Sequence, residues 1–174
     1  MLFRSDNEFQ PDLPITRAQL ASEIETAFKQ ETSRDLITFE DISEESQAAK
    51  KIDEAVKTGF LKGYPGQVFR PDQKVPRLQV LVALVSGLDL KTSQDPEAIL
   101  SSYQDSDQIP NWAREQIAAA IESGLVVNRP NFTTQSLYPN EPATRAEVVG
   151  MIYQGLVQTG RIEQISSPYI VPSP

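Results

Sequence analysis

The chain has 174 residues, 39% of them hydrophobic and 23% charged, which is enough to bury one ordinary core. It has no cysteine and no histidine, which removes disulfides, thiol nucleophiles, histidine general bases and the usual zinc sites, and nothing in it calls for a cofactor. A net charge of −8 argues against nucleic acid as a partner, and the longest apolar run, Val80 to Val85, is far below the ~18 residues of a membrane span.

No signal-peptide pattern opens the chain, so an export address would lie outside it. The loop-like stretch Leu2 to Glu8 leads into Phe9, Pro11-Asp12 and the box Thr16-Arg17-Ala18-Gln19. Thr16 and Gln19 have the spacing of a capping box, and Leu20, Ile24, Ala27 and Phe28 then share one helical face. Next come Phe39-Glu40-Asp41, the acidic pair Glu44-Glu45, which reads as solvated surface, and a helix with the narrow stripe Ala48, Ile52, Ala55 and Val56. The loop Gly63-Tyr64-Pro65-Gly66 is a turn by composition, and its glycines would also let backbone amides approach a ligand. Phe69, Pro71-Asp72 and Arg77 come after it, with Pro76 where the first box has Thr16, and Val80, Leu81, Leu84, Val85 and Leu88 form the next helical stripe.

Asp95 and Pro96 have the cap and first-turn chemistry of a short helix reaching Ser101. Tyr103-Gln104-Asp105 comes next; Asp105 and Asp107 lack the glycine and glutamate of a calcium loop and read as turn caps. Trp112 heads the stripe Ala113, Ile117, Ala120 and Ile121, where it either packs in the core or lies on a groove wall to stack on a sugar ring. Asn128-Arg129-Pro130 stands where the other unit has its glycine-tyrosine loop. Leu137, Pro139-Asn140 and a second capping box, Thr144 with Glu147 around Arg145, open a last helix with the stripe Val148, Val149, Ile152 and Leu156. The tail from Ser166, with Pro168, Pro172 and Pro174, reads as irregular.

The same offsets recur three times, from Phe9, Phe69 and Leu137 to Arg17, Arg77 and Arg145, so the arginines are 60 and 68 residues apart. Periods of this size mean stacked supersecondary units. Each unit is an upstream helix, a turn-rich loop and a downstream helix, and the first copy lacks its upstream helix. This gives a partial repeat over 1–35, repeats over 36–94 and 101–160 and a tail over 161–174; such an array seldom begins in mid-unit, so Met1 reads as an expression start or a fragment edge. A cation at the first helical position opposes the helix dipole. Its triple occurrence implies an anionic partner, either an internal carboxylate such as Asp12, Asp72 or Asp41, or an external anion held jointly by arginine and free helix amides.

Together, Phe39-Glu-Asp, the alanine-rich helix, Gly59-Phe-Leu-Lys-Gly63-Tyr64, Phe69-Arg-Pro-Asp and the Thr-Arg-Ala-Gln/Glu box resemble the S-layer homology domain over roughly residues 3 to 160. The tail Ser167-Pro168-Tyr169-Ile170-Val171 is similar to the segment C-terminal to such repeats in cyanobacterial proteins. The resemblance implies an all-α, pseudo-threefold bundle whose inter-repeat grooves bind cell-wall polysaccharide, commonly with an acidic pyruvyl ketal. It assigns glycan contacts to Arg17, Arg77, Arg145, Gly63, Tyr64 and Trp112. Pro76, Gln47 and Asn128-Arg129-Pro130 depart from the family pattern, so the grooves cannot be equivalent.

The expected protein is a non-catalytic anchoring module of a larger exported envelope protein, located in the cell wall or periplasm. The competing expectation is a structural or protein-interaction module in which the arginines are internal staples. The absent first helix leaves one groove without a wall unless the stretch Arg161 to Val171 or a second chain supplies it, and self-association through the incomplete repeat would result.

Overall fold

The computed structural model describes residues 9–29, 38–43, 45–129 and 135–170. Leu2 to Glu8, Glu44, Pro130, Val171, Pro172 and Pro174 lie outside them. The described residues are all-α: α1 (Arg17–Phe28), α2 (Ala49–Lys57), α3 (Arg77–Gly87), α4 (Pro96–Leu100), α5 (Arg114–Glu122) and α6 (Arg145–Gln158), with two short 3₁₀ turns and no strand longer than an isolated bridge.

The repeat is built into the backbone as a closed ring. Ile15 N–H donates to Ala143 C=O (3.0 Å), Ala143 N–H to Val75 C=O (2.8 Å) and Val75 N–H to Ile15 C=O (3.1 Å). These three apolar residues are essentially without solvent exposure, so the ring lies in the core. One step outward, the first two amides of each downstream helix reach carbonyls of the next loop. Arg17 and Ala18 donate to Gln73 and Pro71, Arg77 and Leu78 to Glu141 and Pro139, and Arg145 and Ala146 to Leu13 and Pro11, all at 2.9 or 3.0 Å. Helix-start amides have no intrahelical acceptor, so each repeat satisfies its own orphans on its neighbour. The expectation of free amides at these helix starts is therefore corrected: the loop carbonyls have already taken them.

The loops share one conformation. Gln10, Arg70 and Tyr138 occupy equivalent positions and all have left-handed φ, at 46°, 59° and 52°. A side chain there costs roughly 1 kcal/mol or more. In the two complete units an aspartate offsets this. Asp41 takes the amides of Phe69 (2.7 Å) and Arg70 (2.6 Å), and Asp105 takes those of Leu137 (3.0 Å) and Tyr138 (2.8 Å). The aspartates thus clamp loops.

Apolar stripes decide the helix pairing. α1 packs on α2 and α3 on α5, burying Leu20, Ile24 and Phe28 in the first pair's core and Leu81, Leu84 and Ile117 in the second's. Among the described residues no upstream helix stands in that position beside α6. The tail crosses α6 instead: Tyr153 Oη donates to Glu163 C=O (2.7 Å) and accepts from Ile165 N–H (2.8 Å), while Arg161 donates to Phe28 C=O at the end of α1. Farther on, Asn128 N–H donates to Tyr169 C=O (2.8 Å).

Candidate functional site

The caps come first because they position the arginines. Thr16 Oγ1 accepts from Gln19 N–H (3.3 Å) while Gln19 Oε1 accepts from Thr16 N–H (3.0 Å); Thr144 and Glu147 repeat this at 3.3 and 2.8 Å. α3 differs. Pro76 offers neither a hydroxyl nor an N–H, so the side chain of Gln79 has no cap to serve, and its buried Oε1 has no partner among the described residues.

From the first helical position each arginine reaches the next repeat. Arg17 Nε donates to Phe69 C=O (2.7 Å) and its Nη2 to Lys62 C=O (2.7 Å). Arg77 makes the same pair of bonds to Leu137 C=O (2.8 Å) and Val127 C=O (2.9 Å). Arg145 Nη1 donates to Phe9 C=O (3.3 Å). Their residue exposures are 5%, 1% and 7%. The arginines therefore join consecutive repeats through backbone carbonyls, and the expected carboxylate partners Asp12, Asp72 and Asp41 are not the acceptors. Burial pulls the guanidinium pKa of Arg17 and of Arg77 below the ordinary value, and for Arg77 the charge of Glu147 opposes that shift.

Around these joints lie two side-chain clusters of matching plan and different charge. In the first, between α1 and the loop 62–70, the Arg17 guanidinium lies 4.7 Å from the Tyr64 ring centroid and 4.5 Å from that of Phe69, and Arg70 lies over Tyr64 at 4.4 Å. In the second, Arg129 occupies the place of Tyr64 and Tyr138 the place of Arg70, with Arg129 5.7 Å from the Tyr138 ring. One aromatic and one cation are kept and their positions exchanged.

The second cluster also holds a carboxylate. Glu147 Oε1 accepts from Arg77 Nη1 (2.7 Å) and from Arg129 Nε, and Glu147 Oε2 from Arg129 Nη2 (3.3 Å). Burial alone would raise the Glu147 carboxyl, but Arg129 and Arg77 together hold its pKa below the usual range. The residue at the same helical position in α3 is Gln79, which brings no charge. Asp41 similarly has its carboxyl pKa held down against desolvation by the amides of Phe69 and Arg70.

The other expected contacts are scattered. Trp112 is 60% exposed in the 3₁₀ turn before α5, so it is not a core residue. Gly63 is exposed, yet a Cβ on it would stand 2.3 Å from Phe39 Cε1, so packing by itself requires glycine there. Arg70, Arg129 and the second role of Glu147 escaped sequence reasoning; the visible signals were the arginine in Phe69-Arg-Pro-Asp and the arginine in place of the glycine-tyrosine loop. Beside the second cluster, α6, Asn128, Arg129 and the tail line an open pocket of about 750 Å³, polar at Asp12 and Arg129 and apolar along Val149, Tyr153 and Ile170.

Compared with known families, the chain matches the S-layer homology domain over residues 1–21, 38–81 and 102–149. Among curated proteins it is 27% identical to an amylopullulanase of Thermoanaerobacterium thermosulfurigenes over 91% of this chain and 8% of that protein. It is 24% identical to the surface-layer 125 kDa protein of Lysinibacillus sphaericus over 92% of this chain and 14% of that one. A cellulosome-anchoring protein of Acetivibrio thermocellus is 32% identical over 60% of this chain and 23% of its own length. The chain thus spans a small part of each relative.

Proposed function

Because the chain belongs to the S-layer homology domain family, we propose that it is a cell-envelope anchoring module that holds a larger protein to the wall by binding peptidoglycan-linked polysaccharide, without catalysis. The observation that carries this reading is the repeated joint, in which a buried arginine organises a loop that bears an aromatic and a second cation, exposed as Arg70 in the first joint and paired with Glu147 as Arg129 in the second. In a chain of net charge −8, cations placed this way suit a polymer with anionic substituents, of which a pyruvyl ketal is one. Tyr64 would cover a sugar face, the Gly63 to Gly66 backbone would add hydrogen bonds, and the exposed Trp112 offers a further stacking surface. Arg17, Arg77 and Arg145 act from beneath, holding the loops in register.

A cell-envelope setting accords with the surface-layer and cellulosome-anchoring relatives. The amylopullulanase relative is matched over only 8% of its length, so its activity is not carried over to this module.

The test is pull-down of the folded chain by isolated sacculi before and after chemical removal of their attached polysaccharide. Binding that disappears on stripping supports the reading. A folded chain that ignores intact sacculi overturns it and favours the interaction module, which the carbonyl-stapled arginines would equally serve.

A further inference from the structure

Two features set the joint of α6 with the first loop apart from its two counterparts. The first is what lies on the helix. α2 lies on α1 and α5 on α3. At the ninth residue of α1, Glu25 accepts from Lys51 of α2 (3.1 Å), and at the ninth residue of α3, Val85 lines a small pocket together with Gln116 of α5. Lys51 and Gln116 each stand just before the isoleucine of an alanine stripe. The ninth residue of α6 is Tyr153, and there the tail takes the helix's place, through the bonds of the Tyr153 hydroxyl to Glu163 and Ile165. The tail covers this face incompletely. Ile162, Ile165 and Tyr169 remain exposed, and the fifth helical residue, fully buried as Ala21 in α1 and Leu81 in α3, is only half-buried as Val149, on the wall of the open pocket. The second feature is in the loop. Gln10 has the left-handed φ of Arg70 and Tyr138, whose amides donate to Asp41 and Asp105, but among the described residues no aspartate accepts from the Gln10 amide.

In each complete unit the clamping aspartate and the upstream helix come as one segment: Asp41 precedes Ala49 by eight residues and Asp105 precedes Arg114 by nine. We propose that α6 and the loop of Gln10 form a docking seat for such a segment of a partner protein, an aspartate followed by a helix with an alanine and isoleucine stripe, and that the tail Arg161–Ile170 is a strap which this helix displaces. Charge fits as well. Asn140, at the loop position of Asp12, donates to Gln108 (3.5 Å) in the stretch that leads into α5. Asp12, on the rim of the pocket, therefore faces the start of a docked helix, where its carboxylate favours the positive end of the dipole and any lysine placed like Lys50 and Lys51 in the first turn of α2. The strap yields because it is held mainly by polar bonds within reach of water, whereas a striped helix buries apolar side chains against the half-buried Val149 and Leu156. Neither the seat nor the strap depends on a glycan ligand.

The probe is a synthetic peptide with the sequence of residues 38–60, held helical by a lactam between Lys50 and Glu54, whose side chains already pair on α2. It is titrated into the ¹⁵N-labelled full chain. Amide signals of Gln10, Val149 and Tyr153 should shift saturably, and amide exchange at Ile165 should accelerate as the strap leaves. The same peptide with Asp41→Asn should bind about tenfold more weakly, the equivalent of one charge-assisted bond to the loop amide. Tyr153→Phe in the chain loosens the strap and should tighten peptide binding by up to about tenfold, because a larger fraction of the molecules then has the seat open. No shifts at Gln10 and Val149 in either chain would overturn the proposal, and so would shifts only around Glu25, where the peptide would be exchanging with α2. Peptide binding that leaves Ile165 protected, or equal binding of the two peptides, would also overturn it, since strap or clamp would then be unrelated to the seat. Dimerisation of the Tyr153→Phe chain that excess peptide fails to suppress would give the seat to a second copy and sink the partner helix.

Discussion

Arg77 and Glu147, 70 residues apart in sequence, meet at 2.7 Å with 1% and 6% of their side chains exposed. The pair ties the start of α3 to the start of α6, and Glu147 also caps the helix it opens. Removing one member of a buried pair leaves the other charged and poorly solvated.

Arg77→Ala should therefore lower unfolding free energy by about 3–5 kcal/mol, toward the lower end because Arg129 still faces Glu147. Arg17→Ala strands no buried carboxylate and should cost less, about 1.5–3 kcal/mol for its bonds to two carbonyls. Urea unfolding of both variants checks the order. Equal losses would mean that the carbonyl joints, and not the ion pair, dominate.

Stability should also fall in acid. Arg129 and Arg77 hold the Glu147 carboxyl below its unfolded value near 4.5, so below that pH the unfolded chain takes up a proton that the folded chain still refuses. The contribution is fully present above the unfolded pKa and is lost as pH drops through the folded one. Glu122, lowered to about 2 by the hydroxyls of Ser93 and Thr92 and the Ser93 amide, acts in the same direction. Melting temperature measured from pH 6 to pH 3 should thus fall, and fall less steeply in Glu147→Gln, which keeps the Glu122 share. An unchanged slope in that variant would show that Glu147 is not held ionised by its arginines.

Gly63 and Gly66 sit in one loop for different reasons, and alanine separates them. A methyl at Gly63 would meet the buried ring of Phe39, whose own neighbour is Phe69 at 5.4 Å between centroids. Overpacking there should cost about 1–3 kcal/mol and disturb the adjacent Asp41 clamp. At Gly66 there is open space, and only its φ of +84° penalises alanine, by roughly 1 kcal/mol. Thermal melts that rank Gly66→Ala below Gly63→Ala would contradict the packing argument.

The repeat is legible in the sequence because its register depends on residues that a backbone turn requires, and the three arginines mark that register correctly. Where those arginines end is not legible. A helix-start position fixes Cα and leaves a long side chain to choose among partners 45 to 136 residues away, and it chooses carbonyls over the aspartates nearest in pattern. By pattern Asp41 is a staple candidate and Asp105 a turn cap, yet both clamp a loop lying 28 to 33 residues later. Glu147 has the spacing of a cap, which it is; its second oxygen contact depends on Arg77, far off in sequence. Trp112 shows the limit of periodicity: it continues an apolar stripe but precedes α5 on a 3₁₀ turn that rotates it outward. The freed side chain of Gln79 is in principle visible, since Pro76 announces that no cap amide exists.

Tyr153 is the hinge pin of the tail. Its hydroxyl donates to Glu163 C=O and accepts from Ile165 N–H, which fixes the segment that lies across α6 where α1 and α3 have helices. Ile162, Ile165 and Tyr169 on that segment are exposed large hydrophobics, so its attachment rests more on these polar bonds than on burial. Tyr153→Phe should therefore release it with little effect on the core, at a cost of about 1–2 kcal/mol to local opening. Amide exchange at Ile165 should accelerate on the order of tenfold while the Ile15, Val75 and Ala143 ring stays protected. Release also uncovers the apolar wall at Val149, so sedimentation should show concentration-dependent association of the variant before the wild type. Unchanged exchange at Ile165 would mean that Arg161 and the Asn128 to Tyr169 bond are enough to hold the tail, and the wall of α6 would remain covered.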